Sequence, residues 1–278
     1  MKFSVTSYSF SQLLRAGKIT QRGMVSLAKE IGFEGIEFTD LIPEEGFSEE
    51  EYAIALKEEV AKHGLSMVSH TVGANLLADN IDEEIKRLKH KVDIAALLGA
   101  PTLRHDAYFS FPENKPEDAD FDYYLPKVTD AFRKVTEYAE TKGVKTCTEN
   151  HGFICQDAVR VEKIINTVNH KNFGWLVDMG NFMCTDGDCY ESVKLAAKYA
   201  FHVHAKDFYI MDTPEKSIKT SGGNYIQGSA VGKGVVPVKK CVNELKAQGY
   251  DGFITIEFEG RQDCCEALKE GLEFLKSC

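Results

Sequence analysis

The chain has 278 residues, 43% hydrophobic and 27% charged, enough apolar material for one large core. Its formal net charge of -10 argues against a nucleic-acid backbone or an anionic membrane as the main partner, because both attract cations. No apolar run reaches membrane-spanning length and the start "MKFSVTSYSFSQLL" lacks a secretory signal's apolar block; none of the eight cysteines forms a C-x-x-C pair, so reduced thiols in a cytoplasm are expected.

In chain order, strands are expected near residues 3–8, 35–38, 65–70, 101–105, 144–149, 173–178, 200–206 and 252–258. One phrase organises them: a helix ends in glycine, and a short apolar strand follows that closes on a polar or charged residue. The copies read "AKEIGFEGIEF", "VAKHGLSMVSH", "AALLGAPTLRH", "AETKGVKTCTEN" and "LKAQGYDGFITIEFEG". Glycine just past a helix supplies the left-handed cap, and strands alternating with helices make parallel βαβ units.

The intervening helices carry their own signals. "FSEEEYAIALKEEVAKHG" opens on Ser48 and Glu51, the pairing of a capping box. "LPKVTDAFRKVTEYAETKG" places Val128, Ala131, Phe132, Val135 and Tyr138 on one face, and "CCEALKEGLEFLKS" supplies a last helix. Eight βα units predict an α/β (β/α)8 TIM barrel, one domain over residues 1–278. A doubly wound open sheet is the competing topology. No G-x-G-x-x-G or G-K-[ST] follows the first strand, which weakens the nucleotide-binding form of that competitor. The irregular stretches "SFPENKPEDADFDYYLP" and "YIMDTPEKSIKTSGGNYIQGSAVGKG" follow strands four and seven, at the end where barrel enzymes build their sites.

A closed barrel gathers the residues that end its strands: Tyr8, Glu37, His70, His105, Glu149, Asp178, His204 and Glu257. In "AFHVHAKDF" the two-residue period of a strand points His202, His204 and Lys206 the same way. Glu149, Asp178, His204 and Glu257 end the last four strands, which are neighbours. Three carboxylates and one imidazole form a hard site for one divalent metal ion, Mn2+, Mg2+, Co2+ or Zn2+. His202, one step deeper, is read as an orienting or packed residue. Arg104, Lys206 and Lys233 are the cations placed for a substrate phosphate or carboxylate. Asn150 and His151 either touch substrate or shape a turn; Phe109, Phe111, Tyr123, Tyr124 and Tyr225 either cover a sugar ring or anchor loops and oligomer contacts.

The motifs "TENHG", "VDMGN", "HVHAKD" and "ITIEFEG", with "GFEGIEF", the "SH" of strand three and "GKG", resemble the sugar phosphate isomerase/epimerase family. This is the xylose isomerase-like TIM barrel superfamily, with ketose 3-epimerases, inosose dehydratases and endonuclease IV as branches. The resemblance implies that Glu149, Asp178, His204 and Glu257 hold one metal, and that Glu149 and Glu257 also form the catalytic acid/base pair. It places His70 and His105 at positions that bind substrate or, in the nuclease branch, extra zinc ions. Asn181 stands where the nuclease branch has a zinc-binding histidine, and the strand-seven loop lacks its D-x-H. Glu37 and Asn181 join the expected substrate contacts with Arg104 and Lys206.

The expected activity is a metal-dependent isomerase or epimerase that acts on a sugar, sugar phosphate or cyclic polyol ketone through an enediolate. A dehydratase or lyase with the same metal-stabilised enolate is the alternative. An abasic-site endonuclease and a non-catalytic sugar-binding barrel rank below it. A homo-oligomer, dimer or tetramer, is expected.

Overall fold

The computed structural model describes residues 1–278 and contains a closed eight-stranded parallel barrel. The barrel strands are β1 (Lys2–Thr6), β2 (Gly35–Phe38), β3 (Ser66–Val72), β4 (Thr102–His105), β5 (Lys145–Glu149), β6 (Phe173–Asp178), β7 (Ala200–Ala205) and β11 (Phe253–Ile256). Because β1 pairs with both β2 and β11, the sheet has no edge, which rules out the open competitor. Around it run α1 (Ser11–Arg15), α2 (Gln21–Ile31), α3 (Glu49–Lys62), α4 (Ile81–Leu98), α5 (Phe121–Thr141), α6 (Ala158–Val168), α7 (Cys189–Ala196), α8 (Val238–Ala247) and α9 (Cys264–Lys276). No helix is long and apolar enough to cross a membrane.

The local chemistry explains these boundaries. Ser48 and Glu51 form the reciprocal capping box, and Thr20, Asn80, Asp120, Asp157, Asp188 and Asp263 each accept a first-turn N–H. The glycines of the five repeated junctions, Gly32, Gly64, Gly99, Gly143 and Gly249, all have positive φ, so each turns the chain from helix toward strand where a Cβ would be strained.

Two expectations need adjusting. The first strand stops at Thr6, whose hydroxyl accepts the Tyr8 N–H and starts a 3-10 turn over Ser7–Phe10. The stretch after strand seven is not irregular: β8 (Asp207–Met211), β9 (Ile218–Lys219) and β10 (Tyr225–Ser229) form a separate antiparallel sheet, with Gly228 against the Glu259–Gly260 backbone. Asp207 fastens its return by accepting the N–H groups of Gly232, Gly234 and Val236. A side chain at Gly234 would collide with Asp207 and the Phe208 carbonyl.

Register decides which side chains see the lumen. Partners across a ladder share a face, so the pairs Glu37↔Ser69, Thr71↔Arg104, Arg104↔Cys147, Glu149↔Leu176, Asp178↔His204, His204↔Thr255, Thr255↔Ser4 and Thr6↔Glu37 trace one inward-facing ring. The other face of each strand, with Val5, Ile36, Leu103, Trp175, Val203 and Ile254, packs into the hydrophobic shell beneath the helices.

Candidate metal and active site

At the carboxyl end of the barrel, Glu149, Asp178, His204 and Glu257 converge, with one donor atom from each lying within 4.8 Å of the others. His204 Nδ1 is 3.9 Å from Glu149 Oε1, 3.8 Å from Asp178 Oδ2 and 3.8 Å from Glu257 Oε2, too far to hydrogen-bond to any of them. His204 Nδ1 and Asp178 Oδ2 are both buried without a hydrogen-bond partner. Buried polar atoms are normally paired, so two orphans aimed at a common point beside two more carboxylates fit a small cation there. Three oxygens and one nitrogen match the divalent ions expected from the sequence.

The atoms not aimed at this point are fixed from behind. Asp178 Oδ1 accepts the N–H groups of Gly180 and Asn181, each at 2.8 Å. His204 Nε2 lies 3.1 Å from both oxygens of Glu37, which also holds His202 Nε2 at 2.8 Å. His202 continues to Thr255 at 3.0 Å and Thr255 to Ser4 at 2.6 Å. This carboxylate–histidine arrangement fixes the ring so that Nδ1 faces the cluster. Glu37, His202 and His204 could by themselves hold an ion, but their facing atoms are already hydrogen-bonded to one another.

Two buried cations thread between the carboxylates. Arg104 Nη2 is 2.7 Å from Glu149 Oε2 and 2.6 Å from Asp106 Oδ1. Lys206 Nζ is 2.5 Å from Glu257 Oε2, 3.5 Å from Asp178 Oδ2 and 3.7 Å from Glu259 Oε2. Asn181 bridges the two halves, giving Nδ2 to Glu149 at 2.9 Å and accepting from Lys206 at 3.0 Å. Burial alone would discharge every one of these groups, and their neighbours decide the outcome. Burial would lower the His204 pKa, but Glu37 and Glu257 raise it well above the imidazole range. For Glu257 the Lys206 and His204 charges overcome burial and bring the carboxyl well below its usual value. For Glu149 burial prevails over Arg104, and the carboxyl is raised.

Above the cluster lies a cavity of about 330 Å3, lined by Arg104, Asp106, Glu149, His151, Lys206, Glu257 and Glu259 together with Tyr8, Asp40 and Thr71. His151 Nδ1 is held by Asp106 Oδ1 at 2.9 Å, and the exposed Phe109 ring meets His151 edge-on at 5.2 Å.

Several expected substrate contacts do not reach this cavity. His70 and His105 fall on the outward face, opposite in parity to Thr71 and Arg104. His70 Nδ1 meets the Phe38 carbonyl at 3.0 Å, and His105 stacks on Phe132 with 4.8 Å between ring centroids. Glu37 lies beneath the ligands, where it orients His204, and Asn181 is occupied between Glu149 and Lys206. Asn150 ties β5 to β6 by donating to the Asp178 carbonyl and accepting from Trp175 Nε1 and Asp178 N–H. Lys233 is exposed, 4.0 Å from Glu270 and outside the cavity lining. Asp106 and Glu259 were not singled out from the sequence. The signal was present: each lies two residues beyond an inward-facing residue, so the strand's alternation carries them to the same mouth, as it does His151 and Lys206.

Comparison with known proteins bears on the fold that carries this arrangement. The chain is 22% identical to the inosose dehydratase of Geobacillus thermodenitrificans over 258 residues, covering 87% of this chain and 83% of that one. Among solved structures it superposes on the IOLI protein with a bound zinc atom at a TM-score of 0.76 and 18% identity, covering 100% of this chain and 97% of the other. It superposes on 3-keto-D-glucoside 4-epimerase, YcjR, from E. coli at 0.71 and 17% identity, with 100% of both chains covered. At these identities the structures share the fold. The sequence profile of the xylose isomerase-like TIM barrel matches residues 25–278, and the chain belongs to that family.

Proposed function

We propose that the protein is a divalent-metal-dependent isomerase or epimerase of a ketose, a sugar phosphate or a cyclic polyol ketone. The observation that carries this reading is the pair of orphaned buried atoms, His204 Nδ1 and Asp178 Oδ2, facing Glu149 and Glu257 at the barrel mouth. Glu149, Asp178, His204 and Glu257 would hold a divalent ion there, and such an ion would supply Lewis acidity that makes a C–H next to a substrate carbonyl more acidic.

The chain's own groups then divide the work. Glu149 and Glu257 come from β5 and from the loop just after β11, either side of β6 and β7 in the barrel, so they approach a substrate from two directions. One takes the proton from carbon to give an enediolate, and the pair returns it to the same or the neighbouring carbon. Arg104 and Asn181 hold Glu149 in place, and Lys206 holds Glu257. The cluster is buried on all sides except the cavity, which limits the water that could intercept the intermediate.

A dehydratase uses the same arrangement and expels a hydroxyl from the enediolate. The inosose dehydratase relative, matched over most of both chains, supports this second reading. Incubation of the metal-loaded protein with ketoses and inososes in D2O separates the two. Carbon-bound deuterium without loss of mass identifies the isomerase or epimerase, and release of water identifies the dehydratase. No exchange on any polyol ketone, with metal bound, would sink both.

A further inference from the structure

Beside the inner cavity lies an outer groove of about 600 Å3, and Glu259 forms part of the wall of both. The two compartments differ in what their cations do. Inside, Arg104 and Lys206 are each committed to carboxylates, and a substrate phosphate there would also face Asp40, Asp106, Glu149, Glu257 and Glu259. Outside, Arg15, Lys216 and Arg261 line the groove and none of them is paired with a carboxylate.

These three cations come from distant segments that are tied together. Gln12 Nε2 donates to the Gly260 and Gln262 carbonyls at 3.0 and 2.9 Å, which fixes α1 to the loop after β11. Arg261 Nε donates to the Lys216 carbonyl at 3.3 Å, which fixes that loop to the antiparallel sheet. Lys216 itself has φ of 61°, a left-handed conformation rare for lysine and costly unless its surroundings require it.

We propose that Arg15, Lys216 and Arg261 form a phosphate-binding subsite, and that the substrate has two parts. A neutral polyol ketone lies over the carboxylate cluster, and a phosphate ester remote from the reacting carbons rests in the outer groove. The assignment of the inner part rests on the isomerase or epimerase reading above; the anion subsite does not. In the outer groove three cations without a carboxylate partner face one carboxylate, Glu259, which leaves an excess of positive charge for a phosphate dianion, whereas the inner compartment has cations only for its own carboxylates.

The first test uses inorganic phosphate and protein stripped of metal, followed by 31P line broadening and calorimetry. Saturable binding is expected, weakened about tenfold or more in the combined variant Arg15→Gln, Lys216→Gln and Arg261→Gln. All three side chains are exposed, so the variant's fold is checked by circular dichroism and its metal affinity by calorimetry. Equal binding by both proteins, or no saturable binding by the unaltered protein, overturns the subsite. The second test compares a ketohexose with its 6-phosphate for deuterium exchange on the metal-loaded enzyme. The ester should be favoured about tenfold in kcat/KM, and the preference should fall toward unity in the combined variant. A preference for the free sugar in the unaltered enzyme overturns the two-part substrate. Phosphate binding as expected, with no exchange on either sugar, leaves the subsite standing and removes the ketohexose as the inner part of the substrate.

Discussion

His204 lies near the end of its strand and His105 ends another, and both are fully buried, yet they live in different chemical worlds. His204 points into the lumen between Glu37 and three more carboxylates, and its pKa is raised. His105 points outward, stacks on Phe132, gives Nδ1 to the Asp106 carbonyl at 3.0 Å, and is lowered by burial to about 4. One residue of register separates the two fates. The lumen concentrates charge that a ligand can compensate, while the strand–helix layer tolerates imidazole only as a neutral aromatic ring.

The sharpest break of that comparison removes the lumen's proton-transfer groups. Glu149→Gln and Glu257→Gln should each retain some metal and lose turnover by about a hundredfold or more, the usual scale for a missing acid or base. Asp178→Asn and His204→Ala should lose activity through metal affinity instead, with partial recovery at high metal concentration. Deuterium-exchange rates across a metal titration read both effects. Normal turnover in all four variants would reduce the cluster to ordinary polar strand ends.

A smaller effect belongs to Glu37, which touches neither the cavity nor the expected ion position. Glu37→Gln takes the negative charge away from His204 Nε2 and should weaken metal binding by about 10- to 100-fold, as lost supporting hydrogen bonds do. Calorimetry checks this, and unchanged affinity would make Glu37 a packing residue only. The same experiment, repeated in buffers with different heats of ionisation, should show proton release on ion binding by the unaltered protein at neutral pH. The sign follows from the raised His204 pKa. Glu37 and Glu257 favour the protonated ring, and an ion at Nδ1 must displace that atom's proton. Affinity therefore rises with pH until that pKa is passed.

The barrel was legible because its signal is repeated: five helix–glycine–strand junctions each state the same unit, and all five glycines take the conformation the reading requires. The four converging ligands were legible for the same reason, since strand ends in a closed barrel share one mouth. What sequence could not settle was parity at individual strands. Successive residues of a strand face opposite ways, so a residue at or near a strand's end need not face the mouth, as with His70 and His105. The role of Glu37 depended on depth, which the end of a short strand does not encode. Asn181 depended on a side-chain amide reaching Glu149 and Lys206 at once, a tertiary contact with no local pattern. The antiparallel sheet after β7 was hidden by its Gly, Ser, Thr and Lys content, and Asp207, the first residue of β8, fastens the chain beyond the sheet by a tertiary contact with no local pattern.

The smallest expected effect concerns the outer histidines and is read as stability rather than activity. His105 has a folded pKa of about 4, against about 6.5 for histidine in an unfolded chain. Burial is the main cause; Arg104 also lowers it, whereas Asp106, through its charge and its carbonyl, and Glu84 raise it. The unfolded chain binds this proton more readily, so the contribution of the neutral ring is complete above about pH 6.5 and is lost as the pH falls toward 4. Between pH 7 and pH 5 the linkage amounts to about 2 kcal/mol for His105, with a further loss of the same sign from His70, whose pKa burial also lowers. Urea unfolding at the two pH values measures the total, and the same pair of measurements on His105→Gln isolates one ring. The variant should be less stable at pH 7, because the stacking on Phe132 is gone, but should lose about 2 kcal/mol less on acidification. An identical pH slope in variant and parent would show that His105 is not a neutral buried ring, and the contrast with His204 would fail at its outer end.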